Sequence, residues 1–217
     1  MTTGALQQVM LATERPLKVL TYQTQTTNVA NLTTYVFTAQ AIGTAAADRH
    51  VIAGVRFSGN TQSTVLSATI GGVAATIVNQ TTAGSNVAAL IVALVTAGTT
   101  ADISVTIASS ALRAGCGVWS AVGLRNAAAH TSVASIATTA IGTLSVVPDG
   151  FIVAIASENA ASTYSWAGVT ERFDQTDAES ASSSGADTSQ IVGTTLITVI
   201  ATYATPDPNR AFVAASW

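Results

Sequence analysis

The residues of this chain able to do chemistry are few, and most fall in its last quarter. Glu171, Asp174, Asp177, Glu179 and Asp187 form the one acidic concentration. Two carboxylates across a cleft are what a glycoside hydrolase needs. Glu171 and Glu179 qualify by type, but spacing along a chain says nothing about separation in space. Oxygen ligands from a polar segment also suit Ca²⁺. The stretch 171–187 therefore reads as a cation loop or as a plain solvated acidic loop, without the EF-hand pattern. Just upstream, Tyr164 and Trp166 sit between Glu158-Asn159 and Glu171-Arg172. An aromatic platform beside acidic, amide and guanidinium groups has the composition of a sugar site. Tyr164, Trp166 and Arg172 are thus the candidate glycan contacts. The competing reading turns both aromatics into a core, where large aromatics on strands usually go.

Nucleophilic chemistry finds little footing. Cys116 is the only cysteine and lies between Gly115 and Gly117 in an apolar run. It reads as an inert buried thiol, and a disulfide framework is excluded. His50 and His130 are the only imidazoles. His50, next to Asp48-Arg49, is expected at a surface or an interface. The nucleophile elbow, the phosphate-binding P-loop and the H-E-x-x-H zinc motif are absent. The chain is expected to have no catalytic residue, no metal site built on cysteine and no cofactor.

The elements that must position these residues read as strands. In Val65–Ala108, Leu66, Ala68 and Ile70 alternate with Ser67 and Thr69. Gly71-Gly72 then supplies the positive φ that a tight hairpin needs. Val87–Val95 is apolar on both faces, and Ile103, Val105 and Ile107 alternate with polar residues. Such alternation marks strands with one dry face and one wet face. Earlier, Tyr35, Phe37 and Ala39 share a face. Val51, Ala53, Val55 and Phe57 point inward, with His50 and Arg56 on the other side. Later, Leu144–Val147 and Phe151–Ser157 flank Pro148-Asp149-Gly150, a hairpin signal. Asp174–Gln190 reads as a long surface loop enclosing at most a short strand at Ala178–Ser182. Leu196–Tyr203 and Arg210–Trp217 close the chain around a Pro-Asp-Pro loop that no central strand accepts. Roughly a dozen short strands at this spacing predict an all-β, antiparallel two-sheet sandwich. A jelly-roll-like arrangement over residues 33–217, as one domain, manages the edge strands. Residues 1–32 stand apart as a short N-terminal arm. Leu6, Val9, Met10 and Thr13 recur at helical spacing before Pro16. Leu6, Val9, Met10 and Leu11 are the candidate partner-binding residues of a docking helix or extended arm.

Composition narrows the setting. The chain has 217 residues, 48% of them hydrophobic and 9% charged, against roughly 25% charged in ordinary domains. Lys18 is the only lysine, and net charge is −3 with no basic run. Binding to nucleic acid through clustered Arg and Lys is not expected. Nor is a membrane partner, since the longest apolar run is too short to span a bilayer as a helix. The start lacks the pattern of a secretory signal. So few charges suit a protein whose surface is covered in an assembly.

Three features occur in order: Asp48-Arg49-His50-Val51-Ile52; Val65–Ile70 with Gly71-Gly72-Val73-Ala74-Ala75; and Thr96-Ala97-Gly98-Thr99-Thr100 before Ile103–Ile107. This combination resembles a family of tailed-phage and gene-transfer-agent virion proteins. The likeness covers about residues 33–124, with a weaker echo to the C-terminus. It implies a jelly roll on the outside of a virion, often trimeric, acting as a capsid decoration (cement) protein or as a fibre. It brings no catalytic residues. The expected partners are further copies of the chain, as a homotrimer, and the major capsid protein or another virion protein. The expected location is the particle surface. The alternative is a receptor- or glycan-binding adhesin module of a tail fibre, contacting host surface glycan through the 158–190 region.

Overall fold

The computed structural model describes residues 17–59, 61–177, 181–205 and 207–217, without the side chains of residues 189 and 190. All regular structure among them is β. The first nine strands are β1 Val19–Asn28, β2 Leu32–Ala41, β3 His50–Ser58, β4 Val65–Ile70, β5 Val73–Ala74, β6 Thr76–Ala83, β7 Asn86–Leu94, β8 Thr100–Ala111 and β9 Arg113–Val122. They make two antiparallel sheets, ordered β1-β9-β3-β7-β6 and β2-β8-β4-β5. Strands early in the run pair with strands late in it: β1 with β9, β2 with β8, β3 with β7. This is a long hairpin rolled up on itself, the winding of a jelly roll. The tip of the hairpin is Gly71-Gly72, with φ of 59° and 78°. Two positive φ values in a two-residue loop are what a type I′ turn requires.

The remaining strands repeat this plan. They are β10 Thr131–Ser135, β11 Thr139–Val146, β12 Gly150–Glu158, β13 Tyr164–Ala167, β14 Thr170–Asp177, β15 Ala181–Ile191, β16 Thr195–Tyr203 and β17 Arg210–Ser216. Their sheets run β10-β17-β12-β15-β14 and β11-β16-β13. Strand for strand, this is the order of the first roll. The likeness extends to sequence before the corresponding strands β8 and β16. Gly98-Thr99-Thr100 precedes Ile103–Ile107, and Gly193-Thr194-Thr195 precedes Ile197–Ala201, with Gly98 and Gly193 at φ of 74° and 77°.

The all-β antiparallel sandwich expected from the sequence is present, built twice rather than once. The two five-stranded sheets pack on each other, so the molecule is a stack of four layers with three cores. The first core lies inside the first roll and includes Tyr35, Val51, Phe57, Ile91, Ile103 and Val118. The second lies between the rolls and includes Ile52, Leu90, Trp119, Val153, Val213 and Trp217. The third lies inside the second roll and includes Leu144, Ile152, Tyr164, Val199 and Phe212. Successive side chains of a strand point to opposite faces. A central inner-layer strand is therefore dry on both, and β7 and β12 are apolar along most of their length. Each fully buried Val, Leu, Ile or Phe contributes about 1.5–3 kcal/mol.

Three expectations are corrected by these strands. Residues 19–28 are not part of an arm: β1 pairs along β9 and forms the edge of an inner sheet. Its neighbours supply the apolar burial that its polar sequence lacks. Asp174–Gln190 is not a surface loop. It contains the end of β14 and most of β15, whose Ser182, Ser183 and Ser184 are buried. Serines deceive here because their hydroxyls bond inside the strand layers. Pro148-Asp149-Gly150 does turn the chain, with Asp149 at φ 60°. It crosses from one sheet to another rather than closing a hairpin, because β11 pairs with β16 and β12 with β15 and β17. Leu6, Val9, Met10 and Leu11 lie outside the described residues.

Candidate functional site

The seam between the rolls buries three charged side chains, Arg56, Asp177 and Asp187. Arg56 on β3 shares a face with Ile52 and Gly54, a face the alternation left open to water. The second roll covers it, and Arg56 is 0% exposed. Its guanidinium forms an ion pair with Asp177 of β14, equally buried. Burial pulls the Arg56 guanidinium down to about 10, so it stays charged at neutral pH. Glycine makes the room. Gly115 lies against the Arg56 side chain, and a Cβ at Gly117 or Gly185 would collide with the Phe173 ring. Trp119 Nε1 donates to Asp187 Oδ2 at 2.7 Å, and Arg172 donates to both carboxylate oxygens at 2.8 and 2.7 Å. Tyr22 stacks on Phe173, with ring centroids 6.0 Å apart, and meets Trp119 edge-on. Burial pushes the Tyr22 hydroxyl up to about 12.

At the end of the seam away from the Gly123–His130 linker, side-chain amides and hydroxyls join the rolls. Asn86 Nδ2 donates to Ser157 Oγ at 3.0 Å and to the Asn209 carbonyl at 3.3 Å, and the Ser58 hydroxyl donates to Asn159 Oδ1. The mouth of the second roll opens at this end. There Glu158 is 0% exposed, and neither of its carboxylate oxygens accepts a well-formed hydrogen bond. Burial pushes its carboxyl up to about 7, offset in part by Ser162 and Arg210. Tyr164 and Tyr203 pack edge to face beside it, 5.1 Å between centroids, and Arg210 lies over the Tyr203 ring at 5.5 Å. An open depression of about 280 Å³ lies at this mouth, lined by Ser162, Thr163, Thr176 and Thr205 among others.

The sequence-predicted residues do not meet in one place. Tyr164 is buried, its hydroxyl donating to the Ser182 carbonyl at 2.9 Å. Trp166 is half-buried on β13, stacked obliquely on Phe212, with Nε1 donating to Ser184 Oγ at 2.8 Å. Arg172 is committed to Asp187 on the opposite face of the β12–β15–β14 sheet. Tyr164, Trp166 and Arg172 therefore form no common sugar platform. Tyr164 lies in the third core, and Trp166 packs against its edge. The acidic residues also diverge: Asp177 turns to Arg56, Asp187 to Trp119 and Arg172, and Asp174 accepts from the Tyr164 amide at 2.9 Å. Glu179 lies outside the described residues. Among the described residues, no three His, Cys, Asp or Glu side chains converge as metal ligands. Cys116 is buried, which pushes its thiol well up. His50 is buried rather than superficial, at an end of β3 beside the linker residues Leu124, Arg125 and Asn126.

At the linker end, two open depressions of about 300 and 380 Å³ adjoin along Leu124, Arg125 and Asn126. Lys18, His130 and Trp217 line one, and Asp48 and His50 the other. Sequence reasoning missed the seam, yet a signal for it existed. A strand dry on both faces needs a layer on each side, and β7 and β12 lie in different sheets.

Fold and seam together define a tandem jelly-roll protein with two stacked rolls of one topology. No protein-family model matches the chain, and no curated protein matches its sequence.

Proposed function

We propose that the chain is a non-enzymatic structural protein, assembled as a homotrimer on the outside of a tailed-phage-like particle. It serves there as a capsid decoration or fibre protein, attached through the segment before Leu17. The observation that carries this reading is the chemistry of the two outward sheet faces. β11, β13 and β16 contain no charged residue at all. Their outer face presents Ile141, Thr143, Leu196 and Thr198, with Leu196 72% exposed. The outer face of the β2-β8-β4 sheet carries Val36, Leu66 (61% exposed), Thr34 and Thr106, with Asp102 as its one charge. Apolar exposure on a charge-poor face suits contact with another protein. The sequence resemblance to virion proteins supplies the setting.

The test has two parts. Removing residues 1–16 leaves every described strand in place, so the truncated protein is expected to fold and trimerise but to lose binding to purified particles. Leu66→Asp and Leu196→Asp are expected to leave the fold intact and to lower the mass measured by light scattering. Full particle binding by the truncated chain, or a wild-type chain that is monomeric at every concentration, overturns the reading.

A further inference from the structure

Glu158 ends β12 and Arg210 begins β17, and the two stand opposite each other in the ladder. Glu158 continues the face that carries Ile152, Ala154 and Ala156 into the core of the second roll. Neither of its carboxylate oxygens accepts a well-formed hydrogen bond, with the Ser162 hydroxyl the one polar side chain close enough to favour the charged form besides Arg210, and Arg210 Nη1 is buried without an acceptor. A wholly buried charge without a partner is unfavourable, so the pair as it stands suits a neutral Glu158. Arg210 is meanwhile engaged elsewhere. Its Nε donates to the Asp207 carbonyl, and its plane covers Tyr203. Asp207 Oδ1 accepts from the Asn209 amide at 2.6 Å. The Asn209 carbonyl in turn accepts from Asn86 Nδ2 at 3.3 Å and from the Asn159 amide at 3.2 Å. The Asp207–Asn209 turn thus pins the mouth of the second roll to the first roll, and Arg210 holds that turn.

We propose that Glu158 and Arg210 form a pH-sensitive latch. With Glu158 protonated, Arg210 stays on the Asp207 carbonyl and the turn stays against Asn86. With Glu158 ionised, Arg210 moves to the carboxylate and releases the turn. Every element around Glu158 is accounted for. β16 brings Tyr203 and β13 brings Tyr164, both hydroxyls raised by burial and neutral through the working range. β14 brings Asp174, the turn brings Asp207, and β15 brings the uncharged Ser182 opposite Glu158. On the other face of the sheet, Arg56 and Asp177 are occupied with each other.

The sign follows from linkage. The carboxyl of Glu158 is raised in the folded protein from an ordinary 4.5 to about 7. The folded state therefore binds more protons than the unfolded one between those values. Stability is greatest at the acid end of that window and falls as pH rises through it.

The experiment uses the full chain and follows amide hydrogen exchange at Asn159 and Asn209 from pH 5 to 9, corrected for intrinsic rates. Protection is expected to fall at least about tenfold across neutrality in the wild type and to stay constant in Glu158→Gln. Protection that ignores pH in the wild type, or a Glu158→Gln profile that tracks it, overturns the latch. Should Glu158→Gln fail to fold, the Glu158 carboxyl carbon is titrated by NMR in the wild type. A midpoint near 7 is expected, and one in the ordinary carboxylate range overturns the proposal.

Discussion

The two rolls share a strand order but not a chemistry. The core of the first is apolar, with two bonded polar groups at its rims: the buried Arg49 guanidinium donates to the Gly43, Val95, Ala97 and Gly98 carbonyls, and the Tyr35 hydroxyl donates to the Ala30 and Ala111 carbonyls. The second carries Glu158, Arg210, Tyr164 and Tyr203 at its mouth, beside three buried serines on β15. One topology therefore tolerates both a roll whose buried guanidinium is fully bonded to carbonyls and one whose buried carboxyl group is not. Topology alone sets only which positions are inside. What fills them separates a roll that is scaffold from a roll whose interior responds to solution conditions.

The seam is where that comparison breaks most readily, because each roll covers the other's inner sheet. Arg56→Ala strands Asp177 as a buried, unpaired carboxylate. It is expected to lower unfolding free energy by about 3–5 kcal/mol, measured by urea denaturation. The double change Arg56→Met with Asp177→Leu removes both charges and is expected to restore most of that loss. Because the second core is common to both rolls, the wild type is expected to unfold in one transition. Two resolved transitions would mean that the rolls are thermodynamically separate.

Packing gives the next largest effect. Gly185→Ala drives a methyl group into the Phe173 ring, which β14 and Trp119 hold in place. Overpacking of this kind costs about 1–3 kcal/mol. Gly185→Ala combined with Phe173→Leu is expected to recover part of it. By contrast, Gly72→Ala meets no neighbouring atom within 4 Å and is penalised only through its φ of 78°. The pair distinguishes a glycine needed for room from one needed for backbone conformation.

How far the sequence reveals this molecule depends on which side of a strand is being read. Alternation exposed the inward faces of β3, β4 and β8, and Gly71-Gly72 exposed the hairpin tip, because turn chemistry and pleat are local. The second covering layer is not local. Arg56 looks like a wet-face residue until another roll, more than a hundred residues further on, provides Asp177. Ser182–Ser184 look like a loop until strands on either side take their backbone bonds. Tyr164, Trp166 and Arg172 are close in sequence, yet β13 and β14 lie in different sheets and separate them.

Replacing Trp119 tests the aromatic side of the seam. Trp119→Phe keeps most of the ring contact with Tyr22 and Phe173 but deletes the 2.7 Å bond to Asp187. Arg172 still holds that carboxylate through two bonds, so the loss is expected to be about 1–2 kcal/mol. Arg172→Gln alone is expected to do less, because the Trp119 bond remains and the guanidinium is partly open to solvent.

The smallest effects compare the outward faces directly. Thr34 and Thr106 pair across β2 and β8 with hydroxyl oxygens 3.1 Å apart, and Thr143 and Thr198 do the same across β11 and β16. These are corresponding strands of the two rolls. Cross-strand pairs of this type contribute roughly 0.2–1 kcal/mol. Thr34→Val and Thr143→Val keep the β-branched shape and remove one hydroxyl, so each is expected to change the stability of an isolated chain by at most about 0.5 kcal/mol, and by similar amounts. If a neighbouring subunit covers one face, the size of that face's threonine effect alone should vary with protein concentration. Equal, concentration-independent values would show that both faces remain open to water.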